Sequence, residues 1–305
     1  MNLIQKTAII GMGALGLLYA DKIASERGMD TVTFIMDEER LQKYEGMEFD
    51  CNGNKRRFQM EPGGAAKPAD LVIVAVKYNG LASALESIQK SVGEHTVVLS
   101  VMNGISSEKI LAERYGWSHI VDAVAQGMDA MKFENTLRYT RMGQLCIGIE
   151  REEQRESLER LEEFFREIRL PFVEEKDILH RLWGKFMLNV GVNQTCMAYE
   201  TNYSGVLAAG SEETQTMLAA MREVIALANA EGIHLTEADV EYYIEILKTL
   251  SPEGMPSMRQ DGVCRRYSEV EMFAGTVIEL AGKHHLDVPV NRFLYQKIKE
   301  IEAGY

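Results

Sequence analysis

The sequence predicts an α/β protein in which an N-terminal doubly wound sheet precedes a C-terminal all-helical domain. Short apolar runs alternate with helical patterns over the first half of the chain. Two of these runs, Leu71–Val76 and Thr96–Val101, are almost continuously apolar, which is typical of strands buried on both faces of a parallel sheet. Strand patterns cease after about Lys176. We therefore expect one domain over residues 1–176 and a second over residues 177–305.

The first domain is predicted to alternate strands with helices, as a doubly wound sheet requires. Strands are expected at Lys6–Ile10, Thr31–Met36, Leu71–Val76, Thr96–Val101, Ile120–Val124 and Leu145–Ile149, with an edge strand at Pro171–Val173. A loop and helix are expected at Gly13–Gly28, and further helices at Leu81–Val92 and Glu152–Ile168. The second domain shows only helical patterns, at Ile178–Met197, Glu212–Glu231, Glu237–Leu250, Tyr267–His284 and Asn291–Ala303.

Composition and charge exclude several classes of function. The 305 residues include 33 Lys and Arg against 46 Asp and Glu, a formal charge of −13. Since no long basic stretch interrupts this acidity, a nucleic-acid surface is not expected. No apolar run reaches about 18 residues, so a membrane span is not expected either. The apolar N-terminal stretch Thr7–Ala20 is interpreted as a strand and helix, and we expect a cytoplasmic protein.

The cysteines and histidines do not indicate a metal site. Cys51, Cys146, Cys196 and Cys264 are widely separated, and none forms a CxxC pair. Reduced, mostly buried thiols are therefore expected. The six histidines show no spacing typical of metal ligands, and no metal is predicted.

A glycine loop lies directly after the first predicted strand, in the run Gly11-Met12-Gly13-Ala14-Leu15-Gly16. In this setting Gly11 permits the tight turn, Gly13 lets a pyrophosphate approach the backbone, and Gly16 lets helix and strand pack closely. The phosphates would lie at the positive N-terminus of the helix. The alternative is a glycine-rich turn without a ligand. The strand–loop–helix setting favours a Rossmann-type dinucleotide site that holds NAD or NADP.

Asp37 ends the second predicted strand, 21 residues after Gly16. A carboxylate there can bind the adenosine ribose and would repel a 2′-phosphate, which favours NAD over NADP. Arg40 and Lys43 follow closely and could reverse that preference. The alternative for Asp37 is an N-cap of the helix that it precedes.

A polar stripe runs along the first helix of the second domain. Lys185, Asn189 and Asn193 recur at i, i+4 and i+8, which places an ammonium and two carboxamides on one helix face. The surrounding residues are almost all apolar, and buried polar groups must be hydrogen-bonded to protein or to a ligand. The alternative is a lysine that reaches to water beside two structural amides.

Ser257 and Glu269 are two further polar candidates in the second domain. Ser257 opens a predicted helix, where its hydroxyl and the free backbone N–H groups could hold a carboxylate. Glu269 begins the next predicted helix. From spacing alone, Ser257 would be an ordinary N-cap and Glu269 a first-turn acid.

Five motifs together resemble the ketopantoate reductase (2-dehydropantoate 2-reductase) family. They are the loop GMGALG, Lys77 in VAVKYNG, Asn103 in VMNG, the helix WGKFMLNVGVN, and PSMRQD followed by SEVEMFAG. They occur in the family's order and span nearly the whole chain. The Lys-x-x-x-Asn helix alone would indicate only a wider superfamily of hydroxyacid dehydrogenases.

The resemblance implies a role for each matching residue. Lys185 is implied to be the general acid that polarises the 2-oxo group and donates a proton. Asn189 and Asn193 are implied to bind the substrate's hydroxyl and keto ends, and Ser257 its carboxylate. Lys77 and Asn103 are implied to contact the cofactor near the nicotinamide ribose. Glu269 is implied to close the site, whether it serves catalysis or the cofactor.

Three positions depart from the family pattern. Asp37 stands where Arg or a neutral residue is common, and Met102 replaces a frequent glutamine. An asparagine expected downstream of the helix motif has Asn202 as its nearest candidate. These departures leave cofactor preference and substrate open.

The resemblance implies NAD(P)H-dependent reduction of 2-dehydropantoate to pantoate, a step toward pantothenate and coenzyme A. One alternative keeps the chemistry and changes the substrate to another branched 2-oxo acid. The other is a non-catalytic NAD(P)-binding sensor, for which the set of polar residues in the second domain has no evident use. A homodimer is a further expectation of the superfamily.

Overall fold

The computed structural model describes residues 3–305, and the chain divides into two compact units between Ile178 and Leu179. All strands among the described residues lie in the first unit: β1 (Thr7–Ile10), β2 (Val32–Met36), β3 (Phe49–Cys51), β4 (Asn54–Arg56), β5 (Gln59–Pro62), β6 (Leu71–Val74), β7 (Val97–Ser100), β8 (Ile120–Gln126), β9 (Met131–Phe133), β10 (Thr136–Arg138), β11 (Gln144–Gly148) and β12 (Phe172–Glu174). Its α-helices are α1 (Ala14–Arg27), α2 (Glu38–Tyr44), α3 (Leu81–Ile88), α4 (Ser107–Tyr115) and α5 (Arg155–Glu167).

The main sheet has eight strands in the order β12-β11-β8-β7-β6-β1-β2-β5. Strands β5, β2, β1, β6, β7 and β8 are parallel, β11 is antiparallel to β8, and β12 pairs parallel to β11 at the edge. Ile10 at the end of β1 lies opposite Ile35 and Val74, so β1, β2 and β6 end at one sheet edge. The loops that follow these three strands therefore share that edge.

Helices cover both faces of this sheet, which confirms the predicted doubly wound α/β fold. One buried cluster joins Leu17 and Leu18 of α1 to Leu161 and Phe164 of α5. The other joins Leu81 and Ile88 of α3 to Leu111 of α4. Every residue of β6 and β7 is buried, and all but Ser100 at the end of β7 are apolar, as expected of strands covered on both faces.

A second sheet of four short strands, in the order β4-β3-β10-β9, was not predicted. Each strand has three residues, and β3 pairs with β10 across a large separation, with Asp50 opposite Thr136. Phe49, Cys51 and Leu137 of this sheet are fully buried in the same cluster as α1. The strand β5 and the helix α4 were also not predicted. Such short elements depend on distant partners and leave little periodic pattern in the sequence.

The second unit contains helices and no strand among its described residues. After α6 (Ile178–Ala198), which begins at the boundary, come α7 (Tyr203–Val206), α8 (Glu212–Ala230), α9 (Glu237–Lys248), α10 (Ser257–Val263), a π-helix (Glu271–Gly275), α11 (Thr276–His284) and α12 (Pro289–Glu302). The predicted single helix over Tyr267–His284 is wrong over its first four residues and at the π-helix. Gly191 of α6 lies against Met217 and Met221 of α8, where a Cβ atom would overlap the Met221 side chain.

Two further findings concern the described residues. All four cysteines are free thiols, and three are buried while Cys264 is exposed. No helix over residues 3–305 is both long enough and apolar enough to cross a bilayer.

Candidate functional site

The glycine loop joins β1 to α1, and two of its glycines are required by close backbone contacts. Gly11 has φ +101°, and a Cβ there would overlap the carbonyl group of Ala75. A Cβ at Gly16 would overlap the carbonyl oxygen of Gly11, so the first turn of α1 packs directly on the loop. Gly13 is different, since the nearest atom to a Cβ there, the carbonyl oxygen of Ala75, would be 4.0 Å away.

The N-terminus of α1 has the features of an anion cradle. Gly13 is its N-cap, so no side chain bonds the first-turn amides, and the first turn carries no acidic residue. The helix dipole and these N–H groups favour a negatively charged group at this end. The residues present therefore fit the pyrophosphate of a dinucleotide.

A cavity of about 380 Å³ opens beside this loop, within the first unit. Its walls come from the loop, the end of β2, α2, the segment after β6, and α3. They include Gly11, Met12, Gly13, Asp37, Arg40, Tyr44, Lys77, Gly80, Ser83 and Ser87. Ala14, Leu15 and Gly16 belong to the first turn of α1. The structure thus brings together the glycine loop, Asp37 and Lys77, along with Arg40, which the sequence offered as a residue that could reverse the cofactor preference. It adds Tyr44, Ser83 and Ser87, which were not predicted.

Asp37 is the N-cap of α2, which is the alternative that the sequence left open. Its Oδ1 accepts a hydrogen bond from the Arg40 backbone amide at 2.7 Å. Its Oδ2 lies 3.1 Å from Nη1 of Arg40. Both residues line the cavity, and the Arg40 guanidinium therefore pairs with the Asp37 carboxylate at the cavity wall. Lys43 instead lines a second cavity of about 500 Å³, where its ammonium and that of Lys132 flank the Tyr44 ring at 5.3 and 5.4 Å.

Asn103 follows the neighbouring strand β7 and is half-buried. A buried chain of hydroxyl groups holds this segment. The backbone amide of Met102 donates to the Ser100 hydroxyl at 3.3 Å, and the Ser100 and Ser107 hydroxyls lie 2.8 Å apart. The Ser107 hydroxyl donates to Oε2 of Glu108 at 2.9 Å. Glu108 thus anchors the segment that carries Asn103.

Glu108 and Asp122 are two buried acidic residues, and the charge of Asp122 affects the pKa of Glu108. Burial, reinforced by the Asp122 carboxylate, raises the pKa of Glu108 to about 8. Burial raises the pKa of Asp122 to about 7, although Nε2 of Gln154 donates to Asp122 at 2.8 Å. At neutral pH the Glu108 carboxyl is therefore largely protonated.

Glu108→Gln is expected to stabilise the protein at high pH. The pKa of Glu108 is about 8 in the folded state and 4.5 in the unfolded state. The carboxyl therefore contributes its full stability below pH 4.5, and that contribution is lost as the pH rises through about 8. The carboxamide has no proton to lose and can still accept from Ser107. Thermal unfolding should show Tm of the variant above wild type at pH 9, with the difference shrinking toward pH 5. Glu113→Gln, at an exposed acid of the same helix, is the control. Parallel profiles of E108Q and wild type would contradict the assignment.

In the second unit, α6 carries the predicted polar stripe. Asn189 and Asn193 are buried, with 8% and 6% of their surfaces exposed, and Lys185 is partly exposed. Phe186, Met187, Val190 and Val192 around them are buried. The stripe therefore lies among buried apolar side chains of α6, as the sequence predicted. Whether it binds a substrate stays a prediction.

Ser257 and Glu269 take positions that differ from those expected from spacing. Pro256, not Ser257, is the N-cap of α10, and Ser257 is the exposed first residue of the helix. Glu269 lies two residues before the π-helix, so it is not a first-turn acid. Its carbonyl accepts hydrogen bonds from the amides of Met272 and Phe273 at 3.0 and 3.1 Å. The side-chain roles of Ser257 and Glu269 stay predictions.

The elements that carry these residues are neighbours of α6. The rings of Phe186 on α6 and Phe273 in the π-helix have centroids 6.4 Å apart. At the other end of α6, a Cβ at Gly262 of α10 would overlap the side chain of Met197. Both the Glu269 segment and the helix that starts at Ser257 therefore pack on the helix of Lys185.

Asn202 has a structural role. Its Oδ1 accepts from the Gly205 amide at 3.2 Å and from the Ser204 hydroxyl at 2.6 Å, which caps α7. Its Nδ2 donates to Glu253 at 3.0 Å. With both ends of its amide engaged, Asn202 is a poor candidate for the missing downstream asparagine.

Comparison with known proteins assigns both halves of the chain to one family. The family described as ketopantoate reductase PanE/ApbA matches residues 7–150, and its C-terminal part matches residues 177–302. A 2-dehydropantoate 2-reductase from Vibrio cholerae is 23% identical over 307 residues, which cover 97% of this chain and 98% of that protein.

Solved structures show the same fold. A PanE/ApbA family ketopantoate reductase from Ralstonia eutropha JMP134 has a TM-score of 0.82 at 24% identity, with 98% of this chain and 99% of that chain covered. D-mandelate dehydrogenase in complex with NADH and anilino(oxo)acetate has a TM-score of 0.85 at 20% identity, with the same coverage.

Proposed function

We infer this chain's reaction from one premise, which is that the chain belongs to the ketopantoate reductase PanE/ApbA family. We propose that it reduces 2-dehydropantoate to pantoate with NAD(P)H, on the path to pantothenate and coenzyme A. The observation that carries the proposal is the Lys185, Asn189 and Asn193 stripe among buried apolar residues of α6, in a chain whose first unit fits a dinucleotide. The free cysteines suit a reducing compartment, and we place the reaction in the cytoplasm.

The first unit would hold the cofactor. Gly11, Met12 and Gly13 with the N-terminus of α1 would bind the pyrophosphate, and Asp37 or Arg40 the adenosine ribose. Lys77 and Asn103 would contact the cofactor near the nicotinamide ribose. A bound NAD(P)H supplies a hydride to the 2-oxo carbon of the substrate.

The second unit would bind the 2-oxo acid and supply the proton. The Lys185 ammonium would donate a hydrogen bond to the 2-oxo oxygen and then its proton, as negative charge develops there. Asn189 and Asn193 would donate to or accept from the substrate's hydroxyl and keto groups, and Ser257 would bind its carboxylate. Glu269 would face the same ligands, as the acid that orients Lys185 or contacts the cofactor.

A spectrophotometric assay of NADH and NADPH oxidation tests this function. The panel holds ketopantoate, other branched 2-oxo acids, and an aromatic 2-oxo acid, because D-mandelate dehydrogenase is among the structural neighbours. Ketopantoate should give the highest kcat/KM. Preference for another acid would support a paralogue with a different substrate. Cofactor binding without turnover of any acid would overturn the reductase proposal and favour a sensor.

Cofactor preference is expected to depend on the Asp37–Arg40 pair. We propose a preference for NADH in the wild type, because the Asp37 carboxylate would repel a 2′-phosphate. Asp37→Ala removes that carboxylate and frees the Arg40 guanidinium, 3.1 Å away, to bind the phosphate. The ratio of kcat/KM for NADPH to that for NADH should rise roughly 10- to 100-fold, the scale of a charge-assisted hydrogen bond.

Two further variants separate the two side chains. Asp37→Ala combined with Arg40→Ala should lose most of the gain, because no guanidinium remains. Glu39→Ala, at an exposed acid of the same helix turn, should leave the ratio unchanged. An unchanged ratio in the Asp37 variant would mean that another residue recognises the ribose.

A further inference from the structure

The π-helix at Glu271–Gly275 changes which backbone groups pair in the segment after Glu269. The Gly275 amide donates to the Val270 carbonyl at 3.0 Å, five residues back. In an α-helix the Ala274 amide would bond that carbonyl. Here the Ala274 amide donates to Oε1 of Gln194 at 2.9 Å. The Gln194 side chain of α6 thus accepts the hydrogen bond of the Ala274 amide, in place of the Val270 carbonyl that an α-turn would supply.

Gln194 is fully buried, and its whole carboxamide is used. Its Nε2 donates to the Val190 carbonyl at 2.9 Å and to Oδ1 of Asn291 at 3.1 Å. Asn291 is equally buried and donates to Oε2 of Glu223 at 2.7 Å. Glu223 in turn accepts from the amides of Val290 and Asn291 at the start of α12. One polar network therefore joins α6, the π-helix, α8 and α12.

A buried amide at this position needs an explanation beyond packing. An apolar residue of the same size would fill the space without the cost of removing a carboxamide from water. It would leave the Ala274 amide without this acceptor. Local distortions such as π-turns persist where the surroundings hold them, and they occur often at functional sites.

We propose that Gln194 is a positioning residue that acts through the π-helix to hold Glu269 against the Lys185-bearing helix. The Glu269 carbonyl accepts from the Met272 and Phe273 amides, so its backbone is continuous with the hydrogen-bonding of the π-helix. Gln194 also follows Asn193 directly on α6. Reversion of the π-turn to an α-turn would rotate the preceding segment by about 100°, the angle of one residue. This inference rests on the proposed reductase function.

Gln194→Met tests the inference, because methionine has similar length and no amide. We expect kcat for the preferred 2-oxo acid to fall roughly 10- to 100-fold, the scale of a small misplacement in an active site. The Kd for NAD(P)H, measured by fluorescence, should stay the same where Glu269 orients Lys185 and should rise where Glu269 contacts the cofactor. Hydrogen exchange of the Glu271–Gly275 amides should become faster.

Two further variants sharpen the result. Gln194→Glu keeps an oxygen that accepts from Ala274 and, when protonated, one donor. Its kcat should approach the wild-type value at low pH and fall as the buried carboxyl ionises. The plot of kcat against pH for the wild type should not show this fall. Gln215→Met removes a surface glutamine that bonds the Gly210 carbonyl in the same unit, and should change nothing.

The outcomes separate this inference from the proposed function. If the wild type reduces no 2-oxo acid, the function fails, while faster exchange at Glu271–Gly275 in Gln194→Met would still show that Gln194 holds the π-helix. If the wild type is active and Gln194→Met keeps its kcat per folded molecule, the positioning role is wrong. A lower Tm with unchanged kcat in Gln194→Met would likewise show that Gln194 has only a structural role.

Discussion

Replacing Lys185 by alanine is expected to lower kcat for the 2-oxo acid roughly 10²- to 10⁴-fold, the usual range for loss of a positioned acid. Lys185 is partly exposed on α6, one and two turns from the buried Asn189 and Asn193. An ammonium there can stabilise charge on the 2-oxo oxygen and supply the proton. The fold should survive, because the side chain is not part of the buried core.

The measurement is steady-state kinetics together with NAD(P)H binding. The cofactor Kd should stay near wild type, since the glycine loop and its cavity belong to the first unit. Lys248→Ala removes an exposed ammonium that pairs with Glu245 on α9, and serves as the matched control. A Lys185 variant with wild-type kcat would remove this residue from the mechanism and leave the proton donor unassigned.

Gly16→Ala is expected to damage the fold itself. The new methyl group would overlap the carbonyl oxygen of Gly11, which is backbone and cannot rotate away. Separating β1 from α1 to relieve that overlap would disturb the buried contacts of Leu17 and Leu18. We expect a loss of about 1–3 kcal/mol of unfolding free energy or more, seen as a lower Tm without any ligand.

Gly13→Ala is the contrasting variant, because its backbone suits alanine and its Cβ would be 4.0 Å from the Ala75 carbonyl oxygen. Tm of the unliganded protein should fall less than in Gly16→Ala, because Gly13 makes no side-chain cap hydrogen bond that alanine would lose. The methyl group would instead stand where the pyrophosphate must approach, and the Kd for NAD(P)H should rise roughly 10- to 100-fold. Unchanged affinity would show that the phosphates do not lie at this loop.

The first strand, the glycine loop and the alternation of strands with helices were predictable, because each depends on neighbours along the chain. A strand of four buried residues, glycines at fixed spacing and a helix start together form a local pattern at Thr7–Arg27. Similarly, the i, i+4, i+8 spacing put Lys185, Asn189 and Asn193 on one helix face. The N-cap role of Asp37 was predictable only as one of two alternatives. An acid directly before a helix suits either a ribose contact or a helix cap.

The sequence by itself determined the doubly wound sheet, the helical second half and the residues that could carry the chemistry. Only the tertiary structure decided what surrounds those residues. The small sheet pairs β3 with β10, which are distant in sequence. Burial, reinforced by the nearby Asp122 carboxylate, raises the pKa of Glu108, and Gln194 bonds Ala274 and Asn291. The periodic pattern of apolar residues that marks a helix or strand depends on residues close together in the sequence. Burial and hydrogen-bond partners depend on which distant segments come together.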